Sequence, residues 1–553
     1  MTDDALFRQI EESTKNFSRH QAGTLRSILH TSAAFIISNA TSPMSEITIS
    51  RSTPPLLDAP CRYLATKITP IISINWPTET TTVMITILAT SCPSTLSFAS
   101  FTAPMKPKLI PYFDSAFSKA GSYIAHQGSA SVLRRPEVNK RLVFMYADSI
   151  TTTKGGFKVM AASSFPLHNS SNASRSLFMS LTSPLEVILG SHVEHQLYCH
   201  LLCGLRNSDS IDSMHAPYAF GLIKALRALE SKWEQLCYDI DKGSPCSEIN
   251  YVQMRDSVVE VLGGPQPDLS NRIRFIFEKN DWGGILHKLW PNVRYVKCVT
   301  TGSMKHYYSK HKYFAGEISL LGGDYFSSEC PVAINLDIKK PPDQTRFVML
   351  PTTDILSSFR LIRPRTMLSL VKKLWKYRLG DIVRVVGFYN SSPLLEFVMR
   401  APKNSFEIVT EGDLMAAMES FQLVMRNTMG LAIEIVDFTS SVDFDCSPKR
   451  LKIFIEAQDC DMILQDKLQG SDLRKCCSAV EDGLGSIYKV QRNNGEISPL
   501  SLSILKCGSF DRLLKLAIEN GTPASQYKSP KIIRNPSIVD GLEEYVLVNI
   551  TLD

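Results

Sequence analysis

The sequence predicts an α/β protein in two parts, a large N-terminal α/β domain followed by a smaller C-terminal α+β domain. Three observations predict it. Between Lys106 and about Leu350, apolar runs of strand length alternate with amphipathic stretches of helical period. From about residue 402 a helix pattern, EGDLMAAMESFQLVM, gives way to a strand pattern, LKIFIEA, in a shorter tail. The length of 553 residues, 44% hydrophobic and 21% charged, suits a globular chain of two or more domains.

The elements follow in order. Residues 5–30 read as a helix, with Leu6, Ile10, Leu25 and Ile28 near helical spacing among charges. From Thr41 to Pro104 the character changes: 64 residues hold 22 Ser or Thr, eight Pro, three acids and no Gly. No period lasts there, and the composition suggests a linker or disordered insert. RLVFMYAD (141–148) reads as a buried strand, and KVMAAS (158–163) and VRYVKCVTTG (293–302) as short ones. YAFGLIKALRALESKWEQLCYDI (218–240) is an amphipathic helix with Phe220, Ile223, Leu226 and Leu229 along one face. A second irregular tract fills 352–376, with five Arg or Lys between Phe359 and Lys373 and no acid after Asp354. YRLGDIVRVVGFY (377–389) resumes strand character, with Gly380-Asp381 read as a turn.

Composition narrows the function classes. A net charge of +6 over this length, without a basic stripe interleaved with aromatics, argues against a nucleic-acid partner. No apolar run reaches the ~18 residues of a membrane span, and the polar, acidic N-terminus is not a secretory signal. Thirteen cysteines without a CxxC pair fit cytosolic thiols better than a disulfide framework. The expectation is a cytoplasmic protein with no membrane partner; the sequons at Asn39, Asn169 and Asn172 then carry no weight.

Three polar groups follow apolar stretches, as site loops at strand ends do: VTTGSM (299–304), GGDYFSSE (322–329) and KYRLGD (376–381). Singly, Ser-Ser-Glu is more often a helix cap and Arg-x-Gly-Asp more often a hairpin turn. A fourth group, His192, His195, Cys199, His200 and Cys203, has zinc-like residue types. The interleaved Leu197, Leu201 and Leu202 predict instead a buried helix in which cysteine packs as a small hydrophobe.

The order and spacing of the first three groups resemble those of adenylate-forming enzymes. LWPNVRYVKCVTTGSMKHYYSKHKYFAGEISLLGGDYFSSE is similar to the plant Gretchen Hagen (auxin-responsive) family of acyl acid–amino acid ligases, with further echoes in SPLEVILGS (183–191), YCHLLCGL (198–205) and ASQYKSPKII (524–533). The resemblance covers most of the chain. It implies ATP and Mg2+ as cofactors, a small carboxylic acid and an amino acid as substrates, an acyl-adenylate intermediate, and a monomer. Gly302 and Ser303 would lie by the adenine, and Thr301 would contact the nucleotide. Tyr325, Ser327, Ser328 and Arg378 would contact the nucleotide, Asp381 would take both ribose hydroxyls, and Glu329 would bind magnesium. Lys528, on the small domain, would enter to neutralise charge during transfer. Residues near 151–165, including Ser163, Ser164 and Phe165, would line the acyl and amino acid pocket. The resemblance leans to a jasmonate-like acid, with auxin or benzoate as the alternatives.

One part of the family pattern is missing. Lys106 and Lys108 in MKPKLIPYF stand where lysines follow a phosphate-cradling loop, but the preceding SFASFTAP has no glycine to turn the backbone onto an anion. Back-translated with free synonymous codons from one base earlier, DAPCRYLATKIT (58–69) can read RRAVPLSSYEDY. By the same offset CPSTLSFASFTAP (92–104) can read SVDPLLCFFYSS and ILSSFRLI (355–362) can read YFEFLPFD. All three resemble family sequence, and one offset serves all three. The expected organisation is therefore a helical segment (1–40), an out-of-frame tract (41–104), an adenylating domain (105–400, with 352–375 out of frame) and a mobile C-terminal domain (404–553), hinged near 400–404. The first tract is expected to pack poorly and the chain as written to be impaired, or an inactive remnant.

Overall fold

The computed structural model describes residues 3–20, 95–99, 108–112, 140–147, 150–152, 158–161, 164–168, 180–190, 192–327, 331–338, 340–350, 360–362, 381–400, 408–429, 433–458, 470–519 and 527–552. At its centre lies a four-stranded parallel sheet, in the order Lys140–Val143, Ile211–Tyr218, Tyr295–Val299, Ser319–Gly322. Parallel neighbours need long crossovers, and helices supply them. Val193–Arg206 precedes the second strand, and Ala219–Lys242, Val252–Leu262 and Pro267–Phe277 lie between the second and the third. Leu222, Leu226, Leu229, Leu236 and Ile240 of the longest helix are buried against this sheet in one continuous core. That helix stops at Gly243, whose φ of 67° is left-handed and whose added Cβ would come 2.2 Å from Gly264 C, so only glycine fits the turn.

A six-stranded sheet is built on the hairpin of Asp381–Tyr389 and Ser392–Arg400, with Arg360–Ile362 on one side and Phe347–Met349, Pro331–Ile334 and Tyr325–Phe326 on the other. The N-terminal helix Asp3–Lys15 packs on it. Ile10 is buried with Ile334, Val348 and Leu350, and Ser391 Oγ donates to Thr14 O at 2.6 Å. The third unit is a five-stranded mixed sheet, in the order Ile532–Ile533, Ile435–Asp443, Lys449–Ala457, Ile497–Leu505, Val546–Thr551, with its own core that includes Leu414, Phe421 and Val480 of the helices Glu411–Met429 and Gly470–Gly483.

Several sequence expectations change. Asp381 is not in a turn: it opens a strand, paired with Arg400 across the hairpin. The turn falls at Asn390-Ser391, where Asn390 takes a φ of 55° that asparagine tolerates well. The strand expected over 141–148 ends at Val143, and the helix expected over 5–30 is described as far as residue 20, with a break after Lys15. Neither irregular tract is structureless throughout. Thr95–Ala99 pairs antiparallel with Lys108–Tyr112 and parallel with Lys158–Ala161, and Arg360–Ile362 pairs parallel with the strand that Asp381 opens. The rest of 41–104 and of 352–375 lies outside the described residues.

Candidate functional site

Two glycine-bearing loops leave the carboxyl edge of the parallel sheet. The first follows Tyr295–Val299. Thr301 is extended, Gly302 has a φ of 61°, and a short 3-10 helix runs Gly302–Tyr307. A Cβ on Gly302 would come 3.0 Å from Phe397 Cε1, so both the backbone angle and the close approach require glycine. Thr301, Gly302 and Ser303 are half-buried and reach solvent. The second loop follows Ser319–Gly322. Gly323 lies against Val299, and Asp324 is buried, accepting from Lys297 Nζ at 2.8 Å and from Asn335 N at 2.9 Å. That buried, doubly bonded carboxylate fixes the direction in which the chain leaves toward Tyr325.

Tyr325 joins this loop to the second sheet. Its hydroxyl donates to Asp381 Oδ2 at 2.6 Å, and its ring meets Phe397 edge-on at 6.0 Å and Phe347 at 5.5 Å. Phe397 thus touches both the Gly302 position and Tyr325, and the Tyr325 hydroxyl carries the link on to Asp381. Asp381 is buried. Its Oδ1 lies 3.6 Å from Arg400 Nε and, among the described residues, has no hydrogen-bond partner. Ser327 follows on the same strand end and is half-buried. Ser328, Glu329 and Arg378 lie outside the described residues.

Lys528 stands at the same edge of the sheet. Its Nζ is 4.1 Å from the centroid of the Tyr218 ring, a cation–π contact. Tyr218 ends the strand next to Tyr295–Val299 and is in register with Val299, three residues before Gly302. Tyr527 and Ser529 flank Lys528 and are buried. Of the expected pocket residues, Ser163 lies outside the described residues. Ser164 is fully buried, and its carbonyl accepts from Leu167 N and His168 N to start the one-turn helix Phe165–His168.

The His/Cys group falls on the helix Val193–Arg206 and on its N-cap, His192, as the leucine pattern predicts. Cys199, His200 and Cys203 are buried. His200 Nδ1 is 2.7 Å from Ser183 Oγ and Nε2 is 2.9 Å from Met145 O. Burial pushes the Cys203 thiol up to about 12 and His200 down to about 4, the signature of neutral packed groups.

Sequence reading missed a set of contacts between the small unit and the 302–307 turn. Tyr307 OH donates to Asp437 Oδ2 at 3.0 Å, and Lys531 Nζ binds the other oxygen of Asp437. Glu434 takes Lys310 at 2.6 Å and Arg227 at 3.4 Å.

The comparisons agree with this architecture. Residues 85–320 match the GH3 family N-terminal domain, 366–400 the GH3 family central domain and 413–537 the GH3 family C-terminal domain, so the matches enter both irregular tracts. The chain is 39% identical over 404 residues to a probable indole-3-acetic acid-amido synthetase, GH3.6, of Oryza sativa subsp. japonica, covering 67% of this chain and 82% of that protein. It is 30% identical over 441 residues to the 4-substituted benzoates-glutamate ligase GH3.12 of Arabidopsis thaliana, covering 74% and 76%. To the jasmonoyl–L-amino acid synthetase GH3.5 of Oryza sativa subsp. japonica it is 29% identical over 483 residues, covering 80% and 81%. The solved GH3.15 acyl acid amido synthetase shares the fold, with a TM-score of 0.78 at 24% identity over 100% of this chain and 97% of that one. With three family segments in chain order and relatives matched over most of their own length, this protein belongs to the GH3 family of acyl acid–amino acid ligases.

Proposed function

We propose that the chain uses ATP to activate a small hormone-type carboxylic acid, jasmonate-like or else an auxin or benzoate, and joins it to an amino acid. The observation that carries this reading is the line of contacts that runs from Gly302 through Phe397 to Tyr325 and from Tyr325 to Asp381, with Lys528 at the same sheet edge. A carboxylate oxygen of the acid attacks the α-phosphorus of ATP, the bond to the bridging oxygen breaks, and pyrophosphate leaves. The amine of the amino acid then attacks the acyl carbon, the carbon–oxygen bond to AMP breaks, and the amine nitrogen gives up a proton to solvent.

Each described side chain has a task that its setting suits. Thr301, Gly302 and Ser303 present backbone at a half-exposed turn, where a flat base can approach closely. Asp381 Oδ1, buried without a hydrogen-bond partner among the described residues, fits a ribose hydroxyl, while Tyr325 holds the other oxygen in place. Ser327 lies next along the chain for a phosphate oxygen. Lys528 supplies positive charge that neutralises the negative charge building on the leaving group. Magnesium would be held by Glu329, outside the described residues, and bound there would draw charge from the phosphates. The small unit from residue 404 would pivot near 400–404, so that Lys528 serves one half-reaction. Residues 151–165 would form the acid and amino acid pocket.

A second reading, a nucleotide- or acid-binding remnant without turnover, is favoured by the glycine-free stretch SFASFTAP (97–104) ahead of Lys106 and Lys108. Each preorganised donor lost from such a loop costs ~10²–10³ in rate. In this account 41–104 and 352–375 are out-of-frame translations. Pyrophosphate release with ATP and a panel of jasmonate-like, indole and benzoate acids tests both readings. A chain with both tracts, 41–104 and 352–375, recoded in the shifted frame should turn over, and the unaltered chain should be at least ~10² slower. Nucleotide binding by both with turnover by neither selects the remnant. An uninterrupted transcript together with a peptide spanning SFASFTAP would show the tract to be genuine protein sequence rather than an artefact.

A further inference from the structure

Asp437 sits in the strand Ile435–Asp443 at a shift of register against Lys449–Ala457. Such irregularities re-aim a side chain, and this one leaves an acid only 1% exposed in an apolar strand. Its carboxylate is fully engaged. Oδ2 accepts from Tyr307 OH at 3.0 Å, and Oδ1 accepts from Phe438 N at 2.7 Å and from Lys531 Nζ. Lys531, also 1% exposed, lies 4.3 Å from the centroid of the Phe438 ring and donates to Phe438 O at 3.3 Å.

Two of these donors belong to two separate segments of the site, the Gly302 turn and the Lys528 segment. Tyr307 closes the 3-10 helix that begins at Gly302. Lys531 lies three residues after Lys528, and its segment is stitched to Asp437's own strand: Thr439 Oγ1 donates to Pro530 O at 2.6 Å and Ser440 N to Lys531 O at 2.9 Å. One buried carboxylate therefore ties the Gly302 turn to the Lys528 segment, which are far apart in sequence.

We propose that Asp437 is a positioning residue for the ligase reaction, acting through Tyr307 on the nucleotide turn and through Lys531 on the Lys528 segment, so that a nucleotide held at Gly302–Ser303 is felt at Lys528. This rests on the nucleotide reading given above. A buried charge with three donors has little freedom to move by halves, so displacing one partner redirects the other.

Hydrogen exchange of the full chain tests the link. Tyr307→Phe keeps the ring and removes only the hydroxyl. In the free protein it should speed exchange across 527–533 by about tenfold, the scale of a lost bond to a charged acceptor. Exchange in Lys449–Ala457 should stay as in wild type. Asp437→Asn, paired with Lys531→Met so that no buried charge is stranded, should do the same. With saturating AMP as probe, exchange at 527–533 should slow in wild type but not in Tyr307→Phe, even though both bind AMP. A merely structural role for Tyr307 would leave that nucleotide response intact. Unchanged exchange in the free variants, an equal rise everywhere, or an equal AMP response in both proteins would each overturn the proposal. Failure of wild type to bind AMP would overturn the nucleotide reading and the positioning role together, while the free-protein comparison would still decide whether Asp437 links the two segments.

Discussion

The hydroxyl of Tyr325 and the carboxylate of Asp381 meet at 2.6 Å, 56 residues apart in sequence and on the two outer regions of one six-stranded sheet. The bond occupies Oδ2 and fixes the plane of the carboxylate, leaving Oδ1 aimed by its partner rather than by chance.

From that geometry, Asp381→Asn should weaken AMP binding about 10²-fold and Tyr325→Phe about tenfold, the first losing a charged acceptor and the second only its orientation. Removal of the ribose hydroxyl that Asp381 takes should matter to wild type and not to Asp381→Asn. Titration calorimetry with AMP and its deoxy analogues measures this. Identical discrimination by both proteins would place the ribose elsewhere.

Gly302→Ala should cost about 1–2 kcal/mol of stability from the left-handed backbone alone. More should come from the Cβ meeting Phe397 Cε1 at 3.0 Å. Denaturant unfolding of Gly302→Ala, with and without Phe397→Leu, separates the two parts. The smaller partner should recover the contact term and leave the backbone term. Full recovery would mean that the φ of 61° carries no strain.

What the sequence made legible follows from which forces are local. The helix Ala219–Lys242 was readable because its apolar stripe and its glycine stop both lie within one segment. Asp381 reads as part of a turn because Arg-x-Gly-Asp has turn composition, while its pairing with Arg400 comes from a residue 19 positions away. Thr95–Ala99 likewise becomes a strand through partners at 108–112 and 158–161 that a Ser/Thr-rich composition does not register. In the site, Gly302, Tyr325 and Asp381 came from family resemblance, and the structure supplies the ring that joins the first two, Phe397. Tyr307, Asp437 and Lys531 carried no local signal, since the first two are 130 residues apart and the last two 94.

His200 makes stability depend on pH in a definite direction. Met145 O can only accept, so Nε2 carries the proton and Nδ1 accepts from Ser183. Burial holds the imidazole neutral, with its pKa down at about 4 against an ordinary 6.5. A depressed folded pKa gives a contribution that is complete above ~6.5 and is lost as pH falls toward 4, because the unfolded chain takes up the proton first. The slope for one such group is about 1.4 kcal/mol per pH unit. Urea unfolding at pH 7, 6 and 5 should show His200→Gln losing stability less steeply than wild type by roughly one proton. Parallel slopes would show that the buried imidazole titrates normally.

Lys528 offers the sharpest separation of binding from chemistry. Its ammonium rests 4.1 Å from the Tyr218 ring centroid, at the sheet edge from which the Gly302 turn departs, and it is only half-buried, so little holds it there beyond the ring face. A group needed only when charge develops should contribute little to ground-state affinity. In a chain with both tracts, 41–104 and 352–375, recoded, Lys528→Ala should therefore slow acid-dependent pyrophosphate release by ~10²–10³. The nucleotide Kd should stay within about twofold, because uniform binding is untouched. The second half-reaction, followed from preformed acyl-adenylate and amino acid, should slow far less, since the leaving group there is AMP rather than pyrophosphate. Equal losses in affinity and in both half-reactions would make Lys528 a nucleotide ligand or a structural lysine, and the charge-neutralising role would have to pass to another cation at the same edge.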